Sequence, residues 1–186
     1  MNARFIALVF AAAFAAACGG PGSAGPGASG AADSLNRGLT AHTAGRLDEA
    51  VAAYFETLSR DPKNKFAFYN LGQIAQSQNR LPAAEAYYRL ALEQDAGMAS
   101  ALFNLAIVRT SVGAPQDAIA LYRQVIAVDP NYAPAHFNLG LLLRAAGDTA
   151  GAQQELATAQ RLDPKLVPPT PSATPQRQVS PTPTGR

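Results

Sequence analysis

Apolar residues in the middle of this chain return every three or four positions, the spacing that lays a stripe along one face of a helix. The run from Ala99 shows it well. Leu102, Leu105 and Ala106 recur at helical spacing with Arg109, the pattern breaks at Ser111-Val112-Gly113, and a second run extends from Ala114 to Val128. Pro115 opens that second run, and Pro82 opens its counterpart upstream, where a helix's first turn has no use for the missing N–H. The whole pattern then returns at a fixed interval. Tyr69-Asn70-Leu71-Gly72, Phe103-Asn104-Leu105-Ala106 and Phe137-Asn138-Leu139-Gly140 are one phrase at a step of 34 residues. Ala50, Ala84, Ala118 and Ala152 keep that step, as do Tyr54, Tyr88, Tyr122 and Leu156, and Gly38, Gly72, Ala106 and Gly140. So do Asp61, Asp95, Asp129 and Asp163, which precede Pro62, Ala96, Pro130 and Pro164. The series divide the chain into windows 31–64, 65–98, 99–132 and 133–166. Each window predicts two helices, and the fold class is all-α.

The series have physical uses. Gly45, Gly113 and Gly147, with Asn79 in the second window, suit the tight turn between the two helices of a window. Asp148 follows such a glycine and suits an N-cap. The glycine and alanine series let the paired helices approach closely, and the tyrosine then packs across the neighbouring window.

Period, small residues, aromatic and terminal proline together resemble the tetratricopeptide repeat family over residues 31–166. The resemblance implies a right-handed superhelical solenoid of four helical hairpins, the first helix of each lining a concave groove. Such arrays need about three repeats to be stable, so four should fold. The first window departs most, with Arg37 where the others have leucine. The last has Gln153 where Val51 and Ile119 stand, and Gln160 where Leu58, Leu92 and Ile126 stand. Pro168-Pro169 leaves no room for a further closing helix, so the last hairpin is expected to cap itself with a polar outer face.

Asn36, Asn70, Asn104 and Asn138 hold one place in all four windows, although asparagine is a mediocre helix residue. The resemblance puts this place in the groove and implies a ladder that grips the main chain of an extended peptide, since a carboxamide offers a donor and an acceptor together. The alternative is that the asparagines cap or bridge adjacent hairpins. Beside them stand Tyr69, Phe103 and Phe137, with Gln73, Ile107 and Leu141 one turn on, an apolar stripe suited to a peptide's alternate side chains or a helix face. Arg109 and Arg144, one helical face over, are expected to add charge at the groove's later end. The expected partner is a protein or peptide in the groove. The alternative is self-association into a homo-oligomer. A clamp for a C-terminal carboxylate is excluded, because Leu35, Leu39 and Ser100 occupy the places where the family's basic residues would stand.

Composition narrows the function further. The 186 residues carry a net charge of +2, but residues 31–164 hold 11 basic and 13 acidic residues. A slightly negative folded part is poorly suited to neutralising phosphates, so nucleic acid is not an expected partner. His42 and His136 are far apart in sequence and the chain has one cysteine, so no metal site and no intrachain disulfide are expected. No nucleophile elbow, phosphate loop or paired-carboxylate motif is present, and neither catalysis nor a cofactor is expected.

The chain ends read differently from its middle. After Met1–Arg4, an apolar run from Phe5 to Ala17 is too short to span a bilayer and fits a secretory signal, residues 1–17. Ala15-Ala16-Ala17-Cys18-Gly19 resembles the lipobox of bacterial lipoproteins, with Ala15 where leucine is usual. That resemblance implies cleavage before Cys18, diacylglycerol on its sulfur and acylation of its amino group. The other reading is an ordinary signal cleaved after an A-x-A site. With Gly19 in place of aspartate, the expected location is outside the cytoplasm, on the outer membrane of a cell that has one. Residues 18–32 read as a Gly/Pro/Ser/Ala tether, and 167–186 as a disordered, Pro/Thr-rich tail with polyproline character.

Overall fold

The computed structural model describes residues 26–168. The signal segment, Cys18 with its lipobox and the tail beyond Pro168 lie outside the described residues. Eight α-helices follow in order: α1 (Pro26–Thr43), α2 (Leu47–Arg60), α3 (Lys65–Ser77), α4 (Leu81–Gln94), α5 (Ala99–Ser111), α6 (Pro115–Val128), α7 (Ala133–Ala145) and α8 (Thr149–Leu162). There is no strand among the described residues. No helix there is long and apolar enough to cross a membrane.

One expectation needs correction. The tether was expected to reach Ala32, but α1 begins at Pro26. Three contacts hold its first turns. Ala31 is buried. The Ser34 hydroxyl donates to the Gly30 carbonyl at 3.0 Å, and Arg60 Nη1 donates to the same oxygen at 2.8 Å. Proline tolerates a helix's first turn, and packing against α2 overrides the poor propensity of the glycines.

The helices pair as α1/α2, α3/α4, α5/α6 and α7/α8, and each pair packs on the next. Within each pair the turn needs one residue in the left-handed region. Gly45, Gly113 and Gly147 have φ of 75°, 77° and 88°, and Asn79 takes φ 56°. Asparagine tolerates that region better than other residues with a side chain. Asn64 caps α3 by accepting from the Ala67 N–H at 3.0 Å, and Asp148 caps α8 by accepting from Gly151 at 2.9 Å.

The small-residue series sits where the paired helices meet. A Cβ on Gly38 would lie 2.5 Å from the Tyr54 ring, and one on Gly72 would lie 2.6 Å from Tyr88. In the last pair, leucine replaces the tyrosine, and a Cβ on Gly140 would lie 2.7 Å from Leu156 Cγ. Each tyrosine also reaches the next hairpin. Tyr54 clusters with Ala67, Leu71 and Ile74. Tyr88 clusters with Leu105 and Val108, and Tyr122 with Leu139 and Leu143. Burying a side chain of this size contributes on the order of 1.5–3 kcal/mol, so the tyrosines are the main apolar links along the stack.

Both ends of the stack are polar. Leu71, Leu105 and Leu139 are buried against the preceding hairpin, and their counterpart in α1 is the exposed Arg37, paired with Glu56. A hollow of about 620 Å³ lies where a preceding hairpin would pack, lined by Arg37, Thr40, Arg46, Glu49 and Glu56. At the far end Gln153 and Gln160 are exposed on α8. An apolar hairpin laid on either end would bury those groups without partners. Between the ends, α3 touches α5 directly, whereas no two even-numbered helices reach that degree of contact. The odd-numbered helices therefore line the inner side of the curve.

Candidate peptide-binding groove

The inner side is built from α1, α3, α5 and α7. Tyr69, Phe103 and Phe137 are half-buried along it, and Gln73, Ile107 and Leu141 are half-buried one turn further on. Phe103 is braced by two rings, Tyr122 at 5.6 Å and Tyr132 at 5.0 Å between centroids. Tyr69 leans on Tyr88 at 5.9 Å.

The asparagine series does not form one uniform ladder. Asn36 is exposed and lines the hollow at the N-terminal end of the stack, apart from the others. Asn70 is buried, and its Nδ2 donates at 2.7 Å to the Phe66 carbonyl of its own helix. Asn104 donates to the Tyr69 hydroxyl at 3.1 Å and also bonds the Tyr88 hydroxyl. Asn138 donates to the Tyr122 hydroxyl at 3.1 Å. The amides of Asn104 and Asn138 thus clasp consecutive hairpins together, which is the bridging alternative.

Burial pushes the pKa of all three core tyrosines up, Tyr54 to about 12. Burial also raises Tyr88, its neighbour Tyr69 adds to this, and the bond from Asn104 offsets part of it. Burial raises Tyr122, against bonds from Asn138 and Thr110. These hydroxyls stay neutral, so each can donate as well as accept. Tyr88 donates to Gln76 Oε1 at 2.6 Å.

Two pockets open into the groove at successive junctions. One, of about 300 Å³, is lined by Gln73, Gln76, Ser77, Tyr88 and Asn104. The other, of about 330 Å³, is lined by Ile107, Thr110, Ser111, Tyr122, Asn138, Leu141 and Leu142. The first five positions of the two match at the 34-residue step, so one pocket is the other displaced by one repeat. The first is polar and the second has aliphatic walls. Gln76, Ser77, Thr110, Ser111 and Leu142 were not among the groove residues read from sequence, although the 34-residue step applied one further turn along α3 and α5 would have found the first four.

Arg109 does not bring free charge to the groove. It is half-buried and paired with Glu85 at 3.2 Å and Asp117 at 3.1 Å. Arg144 is half-buried on α7. The histidines serve the fold separately. His42 meets the Tyr54 hydroxyl at 3.4 Å. His136 is buried between Glu155 at 2.6 Å and the Pro130 carbonyl at 3.0 Å. No group of three or more His, Cys, Asp or Glu that could hold a metal ion occurs among the described residues.

Profiles of the tetratricopeptide repeat family match residues 35–99 and 110–168. The chain is built of tetratricopeptide repeats. Among solved structures, the MamA protein is 24% identical, with a TM-score of 0.65 over 72% of this chain and 73% of that one. YrrB, described as a tetratricopeptide repeat protein with an unusual peptide-binding site, is 21% identical, with a TM-score of 0.65 over 72% of this chain and 69% of that one. A tetratricopeptide repeat protein from Parabacteroides merdae is 21% identical, with a TM-score of 0.66 over 74% of this chain and 55% of that one. No curated protein matches the chain. At these identities the likeness is one of fold, an all-α solenoid of tetratricopeptide repeats.

Proposed function

We propose that this tetratricopeptide repeat protein is a scaffold without catalytic activity of its own, holding an extended segment of a protein partner along α3, α5 and α7. The observation that carries this is the pair of pockets one repeat apart on the inner side. A surface that repeats in register with the solenoid suits a ligand that repeats too, and an extended chain does so every few residues. The description of YrrB as having a peptide-binding site supports the same reading.

The scaffold works outside the cytoplasm, tethered to a bacterial membrane through lipid on Cys18, on the periplasmic side of the outer membrane where there is one. The lone cysteine at the end of an apolar leader supports this. A single acyl chain binds membranes reversibly and a second makes anchoring stable. In that setting the partner belongs to an envelope, pilus or secretion assembly.

Photo-crosslinking tests the groove. With benzoylphenylalanine at Phe103 or Phe137, living cells should yield a discrete cross-linked partner, and with the same group at the exposed Phe55 of α2 they should not. Equal cross-linking from Phe55 sinks the groove as the binding face. The anchor has its own test: Cys18→Ser should move the protein out of the membrane fraction and abolish labelling with a fatty-acid probe. Retention of label would refute it.

A further inference from the structure

The two pockets have the same frame and opposite chemistry. The polar pocket is lined by Gln73, Gln76, Ser77, Tyr88 and Asn104, and the Tyr69 hydroxyl beside it holds two of these, Gln73 at 3.0 Å and Asn104 at 3.1 Å. A carboxamide offers donors and an acceptor together, so a wall of three amides and two hydroxyls matches a carboxamide or a main-chain amide. One repeat on, Phe103 replaces Tyr69, Ile107 replaces Gln73 and Thr110 replaces Gln76. Two of the three amides are gone, and Leu141 and Leu142 close the wall. The Tyr122 hydroxyl is tied to Asn138 and Thr110, so little hydrogen-bonding capacity faces an occupant there.

We propose that the groove reads its peptide through these two pockets. The polar pocket takes a carboxamide side chain, and the aliphatic pocket takes a valine-sized apolar side chain. The inference rests on the groove being the peptide site. Adjacent packed helices stand about 8–10 Å apart, and an extended chain rises about 3.3 Å per residue, so the two side chains are about three residues apart. The occupant is an extended segment of another protein carrying a carboxamide and a branched aliphatic residue at that spacing. The paired Arg109 and the uncharged linings leave no site for an acidic or basic residue in either pocket.

The test is fluorescence anisotropy with the full chain and dye-labelled peptides built on acetyl-Ser-Pro-Gln-Ser-Pro-Val-Ser-Pro-amide. The comparison set replaces Val by Ser, replaces Gln by Ala, reverses the pair, or places two further residues between them. Replacing Val should weaken binding about tenfold, the worth of one buried aliphatic side chain. Replacing Gln should weaken it about fivefold. The wider spacing should lose the gain of having both. Against Ile107→Gln/Leu141→Gln, the peptide with Val should lose its advantage over the peptide with Ser. Against Gln73→Leu, the peptide with Gln should lose its advantage over the one with Ala. Circular dichroism checks that the variants fold, and the peptide ranking on the unaltered chain decides the matter without them.

Binding that ignores both residues overturns the two-pocket assignment and leaves the groove as a general main-chain site. Failure of every peptide at millimolar concentration overturns the assignment and counts against the groove itself. A ranking seen only after residues 169–186 are removed would make the chain's own tail the occupant. Peptide binding that splits a dimer in light scattering would make it a second copy. Either result overturns the assignment to a partner.

Discussion

The junction between the first and second hairpins and the two junctions that follow use the same residue series, yet they are tied differently. In all three a tyrosine is buried against the next hairpin. At the later two, an asparagine from that hairpin reaches the tyrosine hydroxyl. At the first, Asn70 turns to its own backbone and the Tyr54 hydroxyl has only a long contact with His42. Apolar packing is thus common to every junction, while the polar clasp belongs to the later two. The polar clasp is also where the pockets open. A buried hydroxyl that must be satisfied draws amides and hydroxyls to one place on the groove wall.

Four experiments probe the two kinds of junction. Alkali should have the largest effect, because it acts on every junction at once. Unfolded tyrosine loses its proton near the ordinary value, whereas folded Tyr54 keeps its proton to about 12. Tyr88 and Tyr122 are raised in the same direction. A raised pKa for an acid means stability that is intact below the unfolded value and lost as pH rises through the folded one. Helicity should therefore hold to about pH 10 and collapse above it, as the tyrosinate absorbance at 295 nm rises. Tyrosinate signal from all six tyrosines while helicity persists would show that the hydroxyls are not held as described.

Truncating one tyrosine comes next. Tyr88→Ala should cost about 3–5 kcal/mol in urea unfolding, as large aromatic-to-alanine changes in cores do. A cost below about 1 kcal/mol would mean that the tyrosine is not the link between the second and third hairpins. Removing the oxygen alone then separates the two kinds of junction. Tyr88→Phe leaves Gln76 Oε1 without its donor, takes from Asn104 its link to Tyr88 while sparing the one to Tyr69, and should cost about 1–2 kcal/mol. Tyr54→Phe gives up only the 3.4 Å contact with His42 and should cost less. Equal losses would erase the distinction drawn here. The smallest effects are at the asparagines. Asn104→Ala should cost about 1 kcal/mol, and the exposed Asn36→Ala should lie within about 0.5 kcal/mol of the unaltered chain. A destabilising Asn36→Ala would contradict its exposed position.

Much of the fold was legible because its signals are local and repeated. Gly45, Gly113, Gly147 and Asn79 sit in turns because few residues tolerate positive φ. Gly38, Gly72 and Gly140 sit where a Cβ would strike the partner helix. The asparagines were read less well. Their fixed register shows that they do the same job only if their surroundings are the same, and those differ. Asn104 has Tyr69 beside it, Asn138 has Phe103 at that place, and Asn36 lies in the first of the described hairpins. The early start of α1 was missed because Gly, Pro, Ser and Ala carry no apolar stripe. Its first turns are held by contacts with Ser34 and Arg60 rather than by pattern.

A stack of four hairpins with a 34-residue step is written into the residue pattern, because close packing between short helices demands small and large residues at fixed positions. The same pattern marks the face that carries the asparagines. The hydrogen bonds of that face follow only from how the helices pack. An amide in a helix can bond its own backbone, a neighbour's hydroxyl or a ligand at similar cost, and the choice depends on which atoms of the adjacent hairpin come within about 3 Å.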